Sequence, residues 1–159
     1  MLYFAYGSNM WREQMRQRCP EHELIGAAVL KDHALCFPRF STIRQCGVAG
    51  IMEKPGAEVW GVLYRLNARD LATLDKREGY DPSGSAEENR YNRQTIRVVM
   101  SGKELDCLTY IARPEPGTHV PNTDYMSAII AGAEDNGLPE GYVAELKKIP
   151  GSSPGKVKL

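Results

Sequence analysis

Tyr3-Phe4-Ala5-Tyr6-Gly7-Ser8-Asn9 is an aromatic, apolar run that meets a glycine and then two small polar residues, all near the start of the chain. The run reads as a buried strand. Gly7 predicts a tight turn in which the backbone bends where a Cβ would clash. Ser8 and Asn9 then predict the cap of a helix over residues 10–18. A strand-glycine-helix turn presents main-chain N–H groups at a helix N-terminus, a seat for an anion such as a carboxylate. Read alone, the same stretch also fits an ordinary strand-to-helix turn with no ligand.

Outward from this turn, residues 24–30 and 34–37 predict strands separated by Lys31-Asp32-His33, and residues 40–45 a polar loop. Residues 48–53 and 59–66 predict a hairpin pair joined by Lys54-Pro55-Gly56-Ala57. Asn67 is an N-cap with Asp70 three residues on, which predicts a helix to Arg77 or Glu78 closed by Gly79. Residues 81–89 are polar and rich in breakers, a surface loop beside that helix end. Strands are predicted over 91–100 and 104–112, joined by Ser101-Gly102-Lys103. A proline-rich stretch follows over 113–121, where regular structure cannot form. Helical spacing then returns over 122–136 and 140–149, and residues 150–159 read as an extended tail. The pattern is a single α+β domain over residues 1–159.

Composition excludes several classes of function. Twenty basic residues balance twenty acidic ones, so no global field favours nucleic acid or an anionic membrane. No apolar stretch approaches membrane-spanning length. The first strand is predicted to begin at Leu2, from which no signal peptide is expected. Cys19, Cys36, Cys46 and Cys107 share no metal-ligand spacing with one another or with His22, His33 and His119. They read as reduced thiols of a cytoplasmic protein that needs no metal.

One carboxylate sits where stability alone would not place it. Leu71 and Leu74 mark the inward face of the helix after Asn67, and Glu78, seven and four residues further on, projects from that face. It also lies in the last turn, where the helix dipole repels a carboxylate. Burial and dipole together raise such a group's pKa, which suits a general acid/base near neutrality. The alternative is that the last turn lets Glu78 swing out to Lys76 or Arg77. Asp75, offset from the leucine face, is expected to be more exposed and structural. Ser8 lacks the GxSxG context of a nucleophile. Tyr125 points into a cleft or packs in the core with equal ease, and Arg12, Arg16 and Arg18 read as a solvated helix face.

Taken together, these residues resemble the γ-glutamylcyclotransferase family. YFAYGSNM at the start, LDKREGY in the middle and DNGLPEGYVAELKKI near the end carry the likeness, with EVWGVLY at 58–64 between them. The late segment is more similar to the general branch of the family than to the glutathione-specific one. The resemblance implies a small mixed β-barrel flanked by helices, and an enzyme that cyclises a γ-glutamyl group to 5-oxoproline while releasing an amine. It implies Glu78 as the proton acceptor and Tyr3, Phe4, Ala5, Tyr6, Gly7, Ser8 and Asn9 as the lining of the γ-glutamyl site. Tyr125, in the SPxxY-like position 121–125, is implied as a substrate contact. No cofactor or metal is implied, and the partners are a small γ-glutamyl substrate and a second copy in a homodimer. The loop over 81–89 departs from the family pattern and leaves the leaving amine open. Two other readings stay open, the same chemistry on a larger γ-glutamyl conjugate and a non-catalytic module that binds a small anion.

Overall fold

The computed structural model describes residues 1–151. The five strands are β1 (Leu2–Ala5), β2 (Glu23–Ser41), β3 (Cys46–Arg65), β4 (Tyr91–Met100) and β5 (Lys103–Ala112). They close a barrel in the order β1-β3-β2-β4-β5. All pairings are antiparallel except β1 with β5, which meet in parallel at Tyr3 and Leu108. Four helices accompany it: α1 (Arg12–Arg18), α2 (Ala68–Glu78), α3 (Thr123–Asp135) and α4 (Glu140–Lys147). The α+β class and the mixed barrel expected from the sequence are therefore observed. The expected tail lies from residue 152 onward outside the described residues.

Short-range chemistry builds most of these elements. Ser101 and Gly102 both take positive φ, 51° and 76°, so a two-residue turn joins β4 to β5. The Asn67 side chain accepts a hydrogen bond from Asp70 N–H and starts α2, and the Asn122 side chain does the same from Tyr125 N–H for α3. Inside, Phe4, Val59, Val62, Leu63 and Val98 are fully buried.

Two expectations need correction. The stretches 24–30 and 34–37 are halves of one 19-residue strand, and 48–53 and 59–66 are halves of one 20-residue strand. These two long strands pair with each other, not each with its own half. The breaker sites face one another: Lys31 pairs with Glu58 and His33 with Glu53, so Lys54-Pro55-Gly56-Ala57 bulges opposite Asp32. Asp32 (φ 60°) and Gly56 (φ 82°) absorb the distortion, and the Asp32 carboxylate accepts the Gly56 N–H at 2.9 Å. The hairpin tip lies over residues 42–45, where a loop was expected, although Phe40 and Ser41 belong to β2.

The second correction concerns the turn after β1. Residues Ser8–Met10 form a single 3-10 turn, and α1 starts only at Arg12 with no side-chain cap from Ser8 or Asn9. Gly7 has φ −112°, and a Cβ added there would lie at ordinary distance, 3.5 Å from Ala49 Cβ and 3.6 Å from Tyr125 Oη. No left-handed backbone or clash requires glycine at this position.

Candidate active site

Closure of the barrel brings the start of the chain, the end of α2 and the start of α3 to one cavity of about 250 Å³. Of the sequence candidates, Tyr3, Tyr6, Gly7, Ser8, Asn9, Glu78 and Tyr125 line it. Phe4 and Ala5 do not. Both are buried in the barrel core, paired with Leu63 and Val62 of β3.

Glu78 is the last residue of α2, and the chain behind it is fixed. Gly79 adopts φ 70°, with its N–H donating to Lys76 O and the Tyr80 N–H to Asp75 O, the paired closure of a Schellman motif. Leu71 and Leu74 are buried on the same face, and Glu78 continues their stripe with only 16% of its side chain exposed. It turns inward, not toward Lys76 or Arg77. Its Oε1 accepts a hydrogen bond from Asn9 Nδ2 at 3.1 Å and lies 4.0 Å from Arg18 Nη1. Burial raises its carboxyl above the usual carboxylate range, against the opposing pull of Arg18, the Asn9 hydrogen bond, Arg90 and Arg44.

Asn9 is held from four sides. Gln14 Nε2 and Arg18 Nη1 donate to its Oδ1 at 2.8 and 2.9 Å, which leaves its Nδ2 to donate to Glu78 and to Tyr3 Oη. Tyr125 Oη accepts the Ala49 N–H at 2.9 Å, and Tyr91 donates to Ala49 O at 2.7 Å. Tyr6 donates to Tyr110 O at 2.5 Å. Burial pushes the phenols of Tyr3, Tyr6, Tyr91 and Tyr125 above their ordinary values, so all four are neutral donors near pH 7.

Several wall residues escaped the sequence reading. Arg18, assigned to a solvated face, turns inward because Gln14 and Arg18 lie four apart on one side of α1 while Arg12 and Arg16 lie four apart on another. Arg44, on the β2–β3 turn, donates to Ser8 Oγ and Gln14 Oε1 and lies 5.3 Å over the Tyr125 ring. Arg77 and Arg90 complete a cationic wall. Among the described residues, no carboxylate lies within ion-pair distance of Arg44, Arg77 or Arg90. The four-residue spacing of Gln14 and Arg18, which puts both on one side of α1, was a signal that could have found the first of these. The others depend on contacts between distant segments.

Asp75 corrects an expectation. It is buried at 8% exposure, accepts from Arg93 at 2.7 Å and from Tyr110 Oη at 2.5 Å. Arg93 of β4 and Tyr110 of β5 reach across to the side of α2 that the leucine stripe left out. The loop over 81–89 does not line the cavity; it pins itself through Asn89, which accepts the Asp81 N–H. Cys19 is a packed thiol, its pKa pushed up to about 12 by burial. Among the described residues, no group of three or more His, Cys, Asp or Glu is placed to hold a metal ion, and no helix is long and apolar enough to cross a membrane.

The chain is similar to known proteins in sequence and in fold. The model of the AIG2-like family matches residues 58–146. Gamma-glutamylcyclotransferase of Mus musculus is 36% identical over 98% of this chain and 82% of the mouse protein. The Homo sapiens gamma-glutamylcyclotransferase is 35% identical over the same shares. A solved structure of a gamma-glutamyl cyclotransferase superposes with a TM-score of 0.86 at 34% identity, covering 99% of this chain and 92% of its own.

Proposed function

This chain belongs to the AIG2-like family of gamma-glutamylcyclotransferases, and we propose that it closes the γ-glutamyl group of its substrate into 5-oxoproline with Glu78 as general acid/base. The α-amine of the substrate attacks its own γ-carbonyl carbon. The new C–N bond closes a five-membered ring, and the old C–N bond to the leaving amine breaks. Glu78 takes the proton from the attacking nitrogen and returns one to the departing nitrogen, so the enzyme ends as it began.

What supports this role is one observation: the cavity's inward-facing carboxylate is Glu78, held by Asn9 in a setting that raises its pKa. A group of that kind contributes about 10²–10⁴-fold to the rate. Folding the glutamyl chain into a near-attack conformer adds an effective concentration of about 10⁵ M or more, with no second reactant to capture. The neutral phenols of Tyr3, Tyr6 and Tyr125 shape the wall around that folded chain. Arg18 and Arg44, with the N–H groups of the Gly7–Asn9 turn, hold the substrate's α-carboxylate and the developing oxyanion. In a chain of zero net charge, five guanidinium groups line the cavity against two carboxylates, Glu78 and the Arg39-paired Glu115, an excess that selects for an anionic ligand.

The same proposal takes the chain as one catalytic unit, cytoplasmic and homodimeric as the family resemblance implies. Incubation with γ-glutamyl dipeptides tests the reaction: 5-oxoproline and the free amino acid are expected in equal amounts. Release of free glutamate in place of 5-oxoproline would mean that water, not the α-amine, is the nucleophile.

A further inference from the structure

The turn that joins the two longest strands is unusual for a hairpin tip. Hairpin tips are polar because water surrounds them, yet this one carries Ile43, 79% exposed, with Phe40, 42% exposed, beside it at the end of β2. Large exposed apolar residues of the described chain also occur at Met1, Trp11, Leu24, Met52 and Val120, but of all these only Phe40 and Ile43 line the cavity. The turn is tied down. Gln45 N–H donates to Ser41 O at 2.7 Å, the Phe40 N–H to Glu115 Oε1 at 2.9 Å, and the Arg44 guanidinium to Ser8 and Gln14. A lip whose backbone is held by these bonds costs a ligand less ordering entropy on contact than a free loop would.

The cavity is graded from this lip inward. Its buried end holds Tyr3, Tyr6, Asn9 and Tyr125, all at 5% exposure or less, and Glu78 beside them. A zwitterionic glutamyl group needs that polar end. The part of the substrate left near the mouth is the leaving amine. Of the exposed wall residues, Arg77 and Arg90 are cationic, Phe40 and Ile43 apolar and Thr42 polar, while the half-buried Glu115 carboxylate is already engaged by Arg39 at 3.8 Å and by the Phe40 N–H. We infer that Phe40 and Ile43 form a specificity-determining lip that receives a large apolar side chain on the leaving amine, while Arg77 and Arg90 disfavour a basic one. The inference rests on the cyclisation reading above.

The test is the relative kcat/KM for γ-glutamyl-leucine, γ-glutamyl-glycine and γ-glutamyl-lysine, read as 5-oxoproline release. Leucine is expected to exceed glycine by about tenfold, the low end of what an apolar contact adds to discrimination, with lysine below glycine. In Phe40→Ser/Ile43→Ser the leucine-to-glycine ratio falls toward one, and in Met52→Ser, an exposed apolar residue away from the cavity, it stays at the wild-type value. Ile43→Ser alone guards against misfolding, since that side chain is almost wholly solvated. A ratio near one in the wild type, or a ratio that survives the double substitution, overturns the lip. A double variant that changes oligomeric state and leaves the ratio alone overturns it too and assigns the turn to a protein contact. Absence of 5-oxoproline from every substrate overturns the cyclisation reading itself.

Discussion

At the residue scale, the orientation of one amide governs the proton chemistry. Asn9 has one acceptor and two donor positions, and Gln14 and Arg18 occupy the acceptor side. Glu78 therefore meets an N–H donor, which favours its charged form and limits how far burial raises its pKa. Gln14→Leu removes one of the two donors that set this orientation. The acidic limb of kcat/KM is expected to move to higher pH, with about 1 kcal/mol lost in stability for the missing hydrogen bonds. A fall in Tm with an unmoved limb would make Gln14 only a packing residue. The leucine spacing put Glu78 on the inward face of its helix but left open a swing out to Lys76 or Arg77, and only the family resemblance favoured the inward position. Arg44 was not, because a turn arginine reaches its partners only through the pairing of β2 with β3.

At the element scale, the end of α2 aims the site. Gly79 in the left-handed region closes the helix directly behind Glu78. A Cβ on Gly79 would sit 2.2 Å from Arg90 Nε as well as strain the φ of 70°. Gly79→Ala should cost about 1–2 kcal/mol from the backbone alone and lower kcat by moving Glu78 and Arg90 together. Thermal unfolding and single-turnover rates check the pair, and unchanged kcat would separate the closure of α2 from catalysis. Capped helices were readable because Asn67, Gly79 and Asn122 carry their signals locally. The long ribbon was not. Turn residues at 31–33 and 54–57 look like two hairpins in the sequence, and only their cross-strand juxtaposition turns them into a bulge.

At the scale of the whole molecule, closure of the barrel is what assembles a site from residues 3, 6–9, 78 and 125. The Asp75–Arg93–Tyr110 cluster ties α2 to β4 and β5 beneath it. The ion-pair side chains are only 11% and 22% exposed. Breaking a buried pair from one side costs about 3–5 kcal/mol, and the residual solvent contact here points to the lower end. Asp75→Asn should then lower Tm by roughly 10 °C, given about 2–4 °C per kcal/mol for a chain of this size. An unchanged Tm would show that the cluster is not a tie. The α+β class was readable from strand and helix patterning and the barrel only through the family resemblance, but the burial of Asp75 was not, since it depends on which side chains of β4 and β5 reach α2.

The assignment of Glu78 decides the account. Glu78→Gln keeps the shape and the Asn9 contact and removes only the transferable proton. A carboxyl whose folded pKa is raised binds its proton more readily folded than unfolded, so ionised Glu78 lowers stability as pH rises through that window. The variant should therefore keep or raise Tm at pH 7. In the wild type, kcat/KM should rise with pH through an acidic limb set above the ordinary glutamate value, and the variant should lack it. The direct measurement is 5-oxoproline release by folded Glu78→Gln at neutral pH: the account predicts a loss of at least about 10²-fold, and wild-type turnover by the folded variant would contradict it.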